Sequence, residues 1–326
     1  MKITLILFIL LSSFFILKFG KDSSRKQLVL AHNINKNHPV HRGLEDFAQK
    51  LDELSKGKLE VIIYPNAILG KEREILELLQ VGALSFTKVS SSSLENFNPL
   101  WSVINLPYIF RSIPHSFEVF DGEVGQLLLD NLYKANLQGL AFYNAGARSF
   151  YAHKPIREPK DIEGLKIRVM GSQSAINMLK AMGGSPTPMP YGEVYTALQQ
   201  NVIDGAENNV FALTTKKHGE VAKHYSLDEH AIMPDVLVVS SKLWSELAFE
   251  EKQWVQTAAK YSSLQQRKYW NEDEARALDY IQEKMNVTIH YPKKDAFIEK
   301  VKVLHDEAAQ RGDLYSELIS KIKAKD

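Results

Sequence analysis

Cysteine is missing from all 326 residues. That absence excludes disulfides, thiolate zinc sites, iron–sulfur clusters and cysteine nucleophiles together. A basic excess is also missing: 40 Lys plus Arg face 39 Asp plus Glu. No charge surplus exists to neutralise a phosphate backbone, so nucleic acid is not an expected partner. The chain has no P-loop, no G-x-S-x-G elbow, no dinucleotide glycine fingerprint and no H-E-x-x-H. His38 and His41 are three residues apart, but Pro39 lies between them and no acid completes a site. Neither a metal nor a cofactor is expected. These absences weigh against an enzyme without excluding one.

What is present describes a soluble body behind an export signal. Hydrophobic residues at 44% and charged residues at 24% fit a globular protein and not a disordered, collagen-like or polytopic membrane chain. The length suggests two domains at ~150 residues each. Lys2 precedes a nearly unbroken apolar run from Ile3 to Leu17, followed by polar residues to Gln27. The run suits a secretory h-region and is short for a membrane span, which needs ~20 residues. Residues 1–26 are therefore read as a signal peptide or an uncleaved anchor; no A-x-A pattern marks a cleavage site. This segment carries five basic residues and one acid, so the remainder holds 35 basic against 38 acidic residues, net −3.

The body alternates strand and helix. Leu28–Asn33 and Leu59–Tyr64 read as strands, His41–Ser55 and Lys71–Val81 as helices, and Ser85–Val89 as a strand opening onto Ser90–Ser93. A helix is predicted over Pro114–Lys134 and strands over Gly139–Asn144, Leu165–Val169 and Asp235–Ser240. Glu250 to about Lys284 lacks Pro and Gly and reads as one long helix. Such alternation predicts an α/β architecture with parallel strands, in two lobes crossed more than once by the chain.

Four segments carry more information than their periodicity. They are Tyr143-Asn-Ala-Gly-Ala-Arg-Ser-Phe150, Gly164-Leu-Lys-Ile-Arg-Val169, the stretch from Gly183 to Gln199, and Ile203-Asp-Gly-Ala-Glu-Asn-Asn209. In this order and spacing they resemble the extracytoplasmic solute-binding subunits of TRAP transporters, the DctP-like family. Gly57-Lys-Leu-Glu60, Tyr64-Pro65, Leu69-Gly70 and Leu106-Pro-Tyr108 add upstream matches. The resemblance covers nearly all of the chain from about residue 28.

It implies a two-lobed periplasmic solute-binding fold, type II-like, with a long interlobe helix and a ligand cleft between the lobes. It implies a small organic acid anion as ligand, TRAP small and large membrane subunits as partners, a periplasmic location and no catalysis. The expected division is 27–145 plus 234–273 for lobe I and 146–233 plus 274–326 for lobe II, as a monomer.

Arg168 is the leading site residue. It interrupts a buried strand, and a buried arginine requires a partner. The planar guanidinium offers a carboxylate two parallel donors, which Lys does not reproduce. The resemblance assigns it the ligand carboxylate; the alternative is a structural ion pair with a protein acid. Arg148, in a loop after a strand, is expected to supply a second contact or else to be solvated. Asn208 can donate and accept, with adjacent Asn209 as its competitor. Tyr191, after Pro190, would cover an apolar ligand face or pack between lobes. In the first lobe His32, Asn33, Ser90 and Ser91 follow strand ends, where open α/β sheets bind ligands. Asp204 and Glu207 are read as structural or solute-contacting, and Glu72 as a surface acid at a helix start. The Ala-Arg-Ser-Phe-Tyr string and the His-containing first loop resemble relatives that bind sugar acids such as hexuronates. A C4-dicarboxylate is the runner-up, and an exported sugar-acid enzyme or a signalling receptor domain is the reading from another class.

Overall fold

A computed structural model describes residues 25–325. The signal reading for residues 1–26 lies almost wholly outside the described residues.

The chain opens with β1 (Lys26–Ala31), α1 (Pro39–Ser55), β2 (Leu59–Tyr64), α2 (Glu72–Gln80), β3 (Phe86–Ser90) and the one-turn α3 (Ser91–Leu94). Helices α4 (Ile113–Phe120) and α5 (Glu123–Asn131) lead into β4 (Leu137–Tyr143). The sequence predicts one helix here. It breaks at Asp121–Gly122, and Gly125 lets α5 start against the end of α4, where an added Cβ would lie 1.9 Å from the Phe120 carbonyl oxygen.

A second set follows: β5 (Arg148–Ala152), β6 (Lys166–Val169), α6 (Gln173–Ala181), β7 (Ser185–Pro188), α7 (Val194–Gln199), β8 (Gly205–Asn208), α8 (Val210–Thr215) and β9 (His224–Ala231). The chain then returns through β10 (Asp235–Ser240), α9 (Ser241–Glu246) and the 35-residue α10 (Phe249–Glu283), and ends with β11 (Thr288–His290), α11 (Asp295–Ala309) and α12 (Asp313–Ala324).

Two sheets result, ordered β2-β1-β3-β10-β4 and β11-β9-β5-β8-β6-β7. The β1–β2 and β1–β3 pairs are parallel, as the alternation predicts. β10 lies antiparallel between β3 and β4. Its sequence Asp-Val-Leu-Val-Val-Ser is buried throughout, as suits a central strand covered on both faces. Three connections join the sheets: residues 144–147 between β4 and β5, residues 232–234 between β9 and β10, and the helical passage through α9 and α10 from β10 to β11.

Helix α10 fixes the first crossing. Its buried stripe runs through Ala258, Ala259, Ser262, Ser263, Gln266 and Trp270, at the three- and four-residue steps of one helix face. The Gln266 carboxamide accepts from Asn144 N (2.7 Å) and donates to Asn144 O (2.8 Å), continuing the hydrogen bonding of β4 beyond its end. Gly146 takes a positive φ of 65°, and a Cβ there would lie 2.7 Å from Trp270. Helix α12 buries Leu318, Ile319 and Ile322 in the apolar cluster that also holds Phe142 and Val236 of the first sheet. Among the described residues no helix is long and apolar enough to cross a membrane.

Candidate functional site

A cavity of about 370 Å³ lies between the two sheets, within the range of small-molecule sites. Contacts from both sets of elements enclose it. Lys71 Nζ pairs with Glu193 at 2.6 Å, Asn96 Nδ2 donates to Gly171 O at 2.9 Å, and Ser92 Oγ donates to Ser172 Oγ at 2.7 Å. On another side Asn35 Nδ2 donates to Thr215 O at 2.8 Å.

Arg168 lines the cavity from β6. It is 3% exposed, yet no ion pair among the described residues includes it. Its Nε and Nη2 both donate to the Met189 carbonyl, at 3.1 and 2.9 Å. The guanidinium lies 5.8 Å from the centre of the Tyr191 ring. Burial lowers its pKa from the ordinary value, but a guanidinium stays charged at neutral pH. A buried cation whose only acceptor among the described residues is a carbonyl is suited to an anion from outside the chain.

Arg148 also lines the cavity but is differently committed. Its Nε and Nη2 reach both carboxylate oxygens of Glu207 (2.5 and 3.0 Å), Nη2 also reaches Glu207 O (2.8 Å), and Nη1 reaches Asn208 Oδ1 (2.9 Å). It is buried in β5, so the solvated-loop alternative fails. Glu207 further accepts from His230 Nε2 at 3.4 Å, and His230 Nδ1 bonds Asp228 at 2.8 Å. The four charges alternate in sign and cancel. Burial would lower the His230 pKa, but Asp228 and Glu207 outweigh it and raise it to about 9. Burial would raise the Glu207 pKa, but Arg148 and His230 hold it down to about 2.

Asn208 Oδ1 accepts from Arg148 and from Asn209 N (2.9 Å), while its amide nitrogen bonds none of the described residues. Asn209 is occupied structurally: Oδ1 caps α8 through Phe211 N at 3.0 Å and Nδ2 donates to Ala145 O at 2.9 Å. Tyr191 opens a 3-10 turn at the cavity wall and packs edge-on to His218.

In the first sheet Asn33 and Ser90 line the cavity. His32 and Ser91 do not. His32 is fully buried, with Nδ1 accepting from Ile34 N (3.3 Å) and Nε2 facing His41 Nδ1 (2.9 Å). Ser91 Oγ donates to Asn105 Oδ1 at 2.6 Å. Both follow strand ends, but the backbone turns them into the interior. Glu72 is not a surface acid. It lines the cavity, accepts from Ser93 Oγ at 2.5 Å and lies 3.7 Å from Lys88 Nζ. Lys88 and Asp235, paired at 3.0 Å, were not found by sequence reasoning. The signal that marks Arg168, a charge inside an apolar strand, was available at Lys88 as well.

The buried histidines give a pH dependence with two limbs. His32 and His218 are held neutral by burial, with pKa values near 2 and 3. A depressed histidine pKa favours folding above the unfolded value of ~6.5 and disfavours it as pH falls. The raised His230 pKa acts oppositely: its stabilisation is complete below ~6.5 and is lost as pH rises through about 9. Unfolding free energy measured against pH should peak near neutrality, and His230→Gln should flatten the alkaline limb. An unchanged alkaline limb in that variant would count against a charged His230.

Comparison with known proteins places this geometry. The family model described as bacterial extracellular solute-binding protein, family 7 (DctP), matches residues 30–311. A TRAP periplasmic solute-binding protein from Bradyrhizobium sp., solved with α/β-D-galacturonate, superposes with a TM-score of 0.89 at 36% identity, covering 91% of this chain and 99% of its own. Another, from Anaerococcus prevotii with bound α/β-D-glucuronate, has a TM-score of 0.89 at 34% identity, covering 92% and 97%. The C4-dicarboxylate-binding periplasmic protein DctP of Rhodobacter capsulatus is 31% identical, over 90% of this chain and 89% of its own length.

Proposed function

The chain belongs to family 7 of the bacterial extracellular solute-binding proteins, and from that membership and the cavity we propose that it binds a hexuronate through Arg168. It is a TRAP solute-binding protein and not an enzyme. It takes up a small organic acid outside the cytoplasm and works with the membrane subunits of the transporter.

The observation that carries the ligand reading is the unpaired guanidinium of Arg168 at the cavity wall. A carboxylate placed there gains charge-assisted hydrogen bonds in a site screened from water. The amide nitrogen of Asn208 and the side chains of Asn33 and Ser90 stand ready for hydroxyls, and a site built for hydroxyls rejects ligands lacking them. Tyr191 covers the ring. Arg148 acts mainly through its Glu207 pair, which holds Asn208 in place. His32 and Ser91 support the wall from behind. The glucuronate and galacturonate held by the two solved relatives support a uronate over a C4-dicarboxylate.

Residues 1–26 serve as a signal peptide or anchor, and the protein acts as a monomer. Residues 27–145 with 234–273 form one lobe and 146–233 with 274–326 the other, except that α12 moves with the first lobe, whose core it enters. Ligand docks on one lobe, the connections near residues 144–147 and 232–234 bend, and closure expels water.

A thermal-shift and calorimetry screen tests the ligand class. D-glucuronate and D-galacturonate are compared with succinate, malate, sialate and 2-oxo acids. A ligand at 100 times its Kd adds ~2.7 kcal/mol of stability, enough for a clear rise in melting temperature. The uronates should give the largest rise. A larger rise with succinate or malate would replace the uronate reading by the dicarboxylate one.

A further inference from the structure

Opposite Arg168, the first-sheet wall of the cavity carries three charges close together. Lys88 on β3 is 3% exposed and pairs with Asp235 Oδ2 at 3.0 Å and with Glu72 Oε1 at 3.7 Å. Asp235, at the start of β10, is 7% exposed. Its other oxygen bonds none of the described residues. Glu72, at the start of α2, is fixed by Ser93 through its second oxygen. Two acids against one lysine give this buried cluster a net charge of −1; Lys71, Arg73 and Glu74 also line the cavity, but at its exposed rim, where Lys71 pairs with Glu193 and Arg73 with Glu77. The facing wall is positive, since Glu207 neutralises Arg148 and no acid among the described residues pairs with Arg168. Lys216 stands outside the lining, bonded to Asn33 O at 3.1 Å.

We propose that Glu72 and Asp235, clamped by Lys88, are specificity-determining residues that admit hydroxyls and exclude a second carboxylate, so that the site selects polyhydroxy monoacids over diacids. This rests on the uronate reading above and deepens it. Carboxylate oxygens accept hydrogen bonds from sugar hydroxyls, which donate to them without carrying charge. A second ligand carboxylate would meet two anions in a cavity with little water to screen them. Like-charge juxtaposition costs several kcal/mol and so discriminates against the wrong ligand. Lys88 bridges the two acids and offsets part of the burial that raises the Asp235 pKa, so its single positive charge is already shared between them.

The test is the ratio of dissociation constants for D-glucarate, which has a carboxylate at both ends, and D-glucuronate, measured by calorimetry. The native protein, Glu72→Gln and Asp235→Asn are compared at one ionic strength. Native protein should prefer glucuronate by at least ~100-fold, the scale of a like-charge clash. Each neutral variant should narrow that ratio by ~10-fold or more, chiefly by gaining glucarate affinity. A ratio unchanged in both variants, or glucarate binding that stays undetectable in all three, overturns the inference while leaving the uronate reading intact. Failure of native protein to bind glucuronate while binding succinate overturns both.

Discussion

Arg168→Ala should cost about 2–5 kcal/mol of uronate affinity, a ~30- to 5000-fold rise in Kd at ~1.4 kcal/mol per decade. Arg168→Lys should recover little of it, because a point charge on a flexible stem does not present two parallel donors. The ligand-free protein gives the sharper contrast. Arg168 is buried and charged, and among the described residues it bonds only the Met189 carbonyl. Removing an unpaired buried charge should leave apo stability unchanged or raise it. A clamp therefore predicts lost binding with intact or improved melting. A structural role predicts a fall in melting temperature before any ligand is added, and that result would sink the clamp.

Glu207→Ala should do the reverse and unfold the protein more readily, by about 3–5 kcal/mol in denaturant titrations, because it strands two charges at once. Arg148 and His230 both face Glu207, and His230 is 0% exposed. Arg148→Ala should be similarly costly. The double variant should cost much less than the sum, since each single change leaves the other partner buried and unpaired. Additive costs would mean that the pair is not coupled, and an Arg148→Ala protein of native stability that fails to bind uronate would restore Arg148 as a direct clamp.

The contrast between these two arginines shows where sequence reasoning stops. Both were legible as important, Arg168 because charge in an apolar strand needs an explanation and Arg148 because it follows a strand end. Which arginine is free and which is paired depends on strand β8. Its sequence Gly-Ala-Glu-Asn looks like a turn, with low strand propensity throughout. It becomes a fully buried strand because β5 and β6 flank it, pairing Ser149 with Asn208 and Arg168 with Ala206. Local composition does not encode that context. Strands β2 and β10, with apolar runs, match their predicted bounds, and α10 matches to within a residue because no Pro or Gly interrupts it. His32 and Ser91 were placed correctly at strand ends but point inward, a matter of side-chain direction that spacing does not reveal. Gln266 escaped notice for a related reason. A glutamine on a long polar helix carries no hydropathy signal, and its value lies in substituting for backbone at Asn144.

Strand β10 has a consequence for how the protein comes into being. It supplies the hydrogen bonds between β3 and β4, yet it leaves the ribosome only after the whole second sheet except β11 has been made. Until Asp235–Ser240 arrives, β3 and β4 hold open edges, and the first sheet is two fragments. The early chain thus has no complete lobe to fold into, and its closing contacts are among the most distant in sequence. Such topologies fold slowly. The family works outside the cytoplasm, and a chain that folds slowly stays longer in the unfolded form that can be threaded across a membrane.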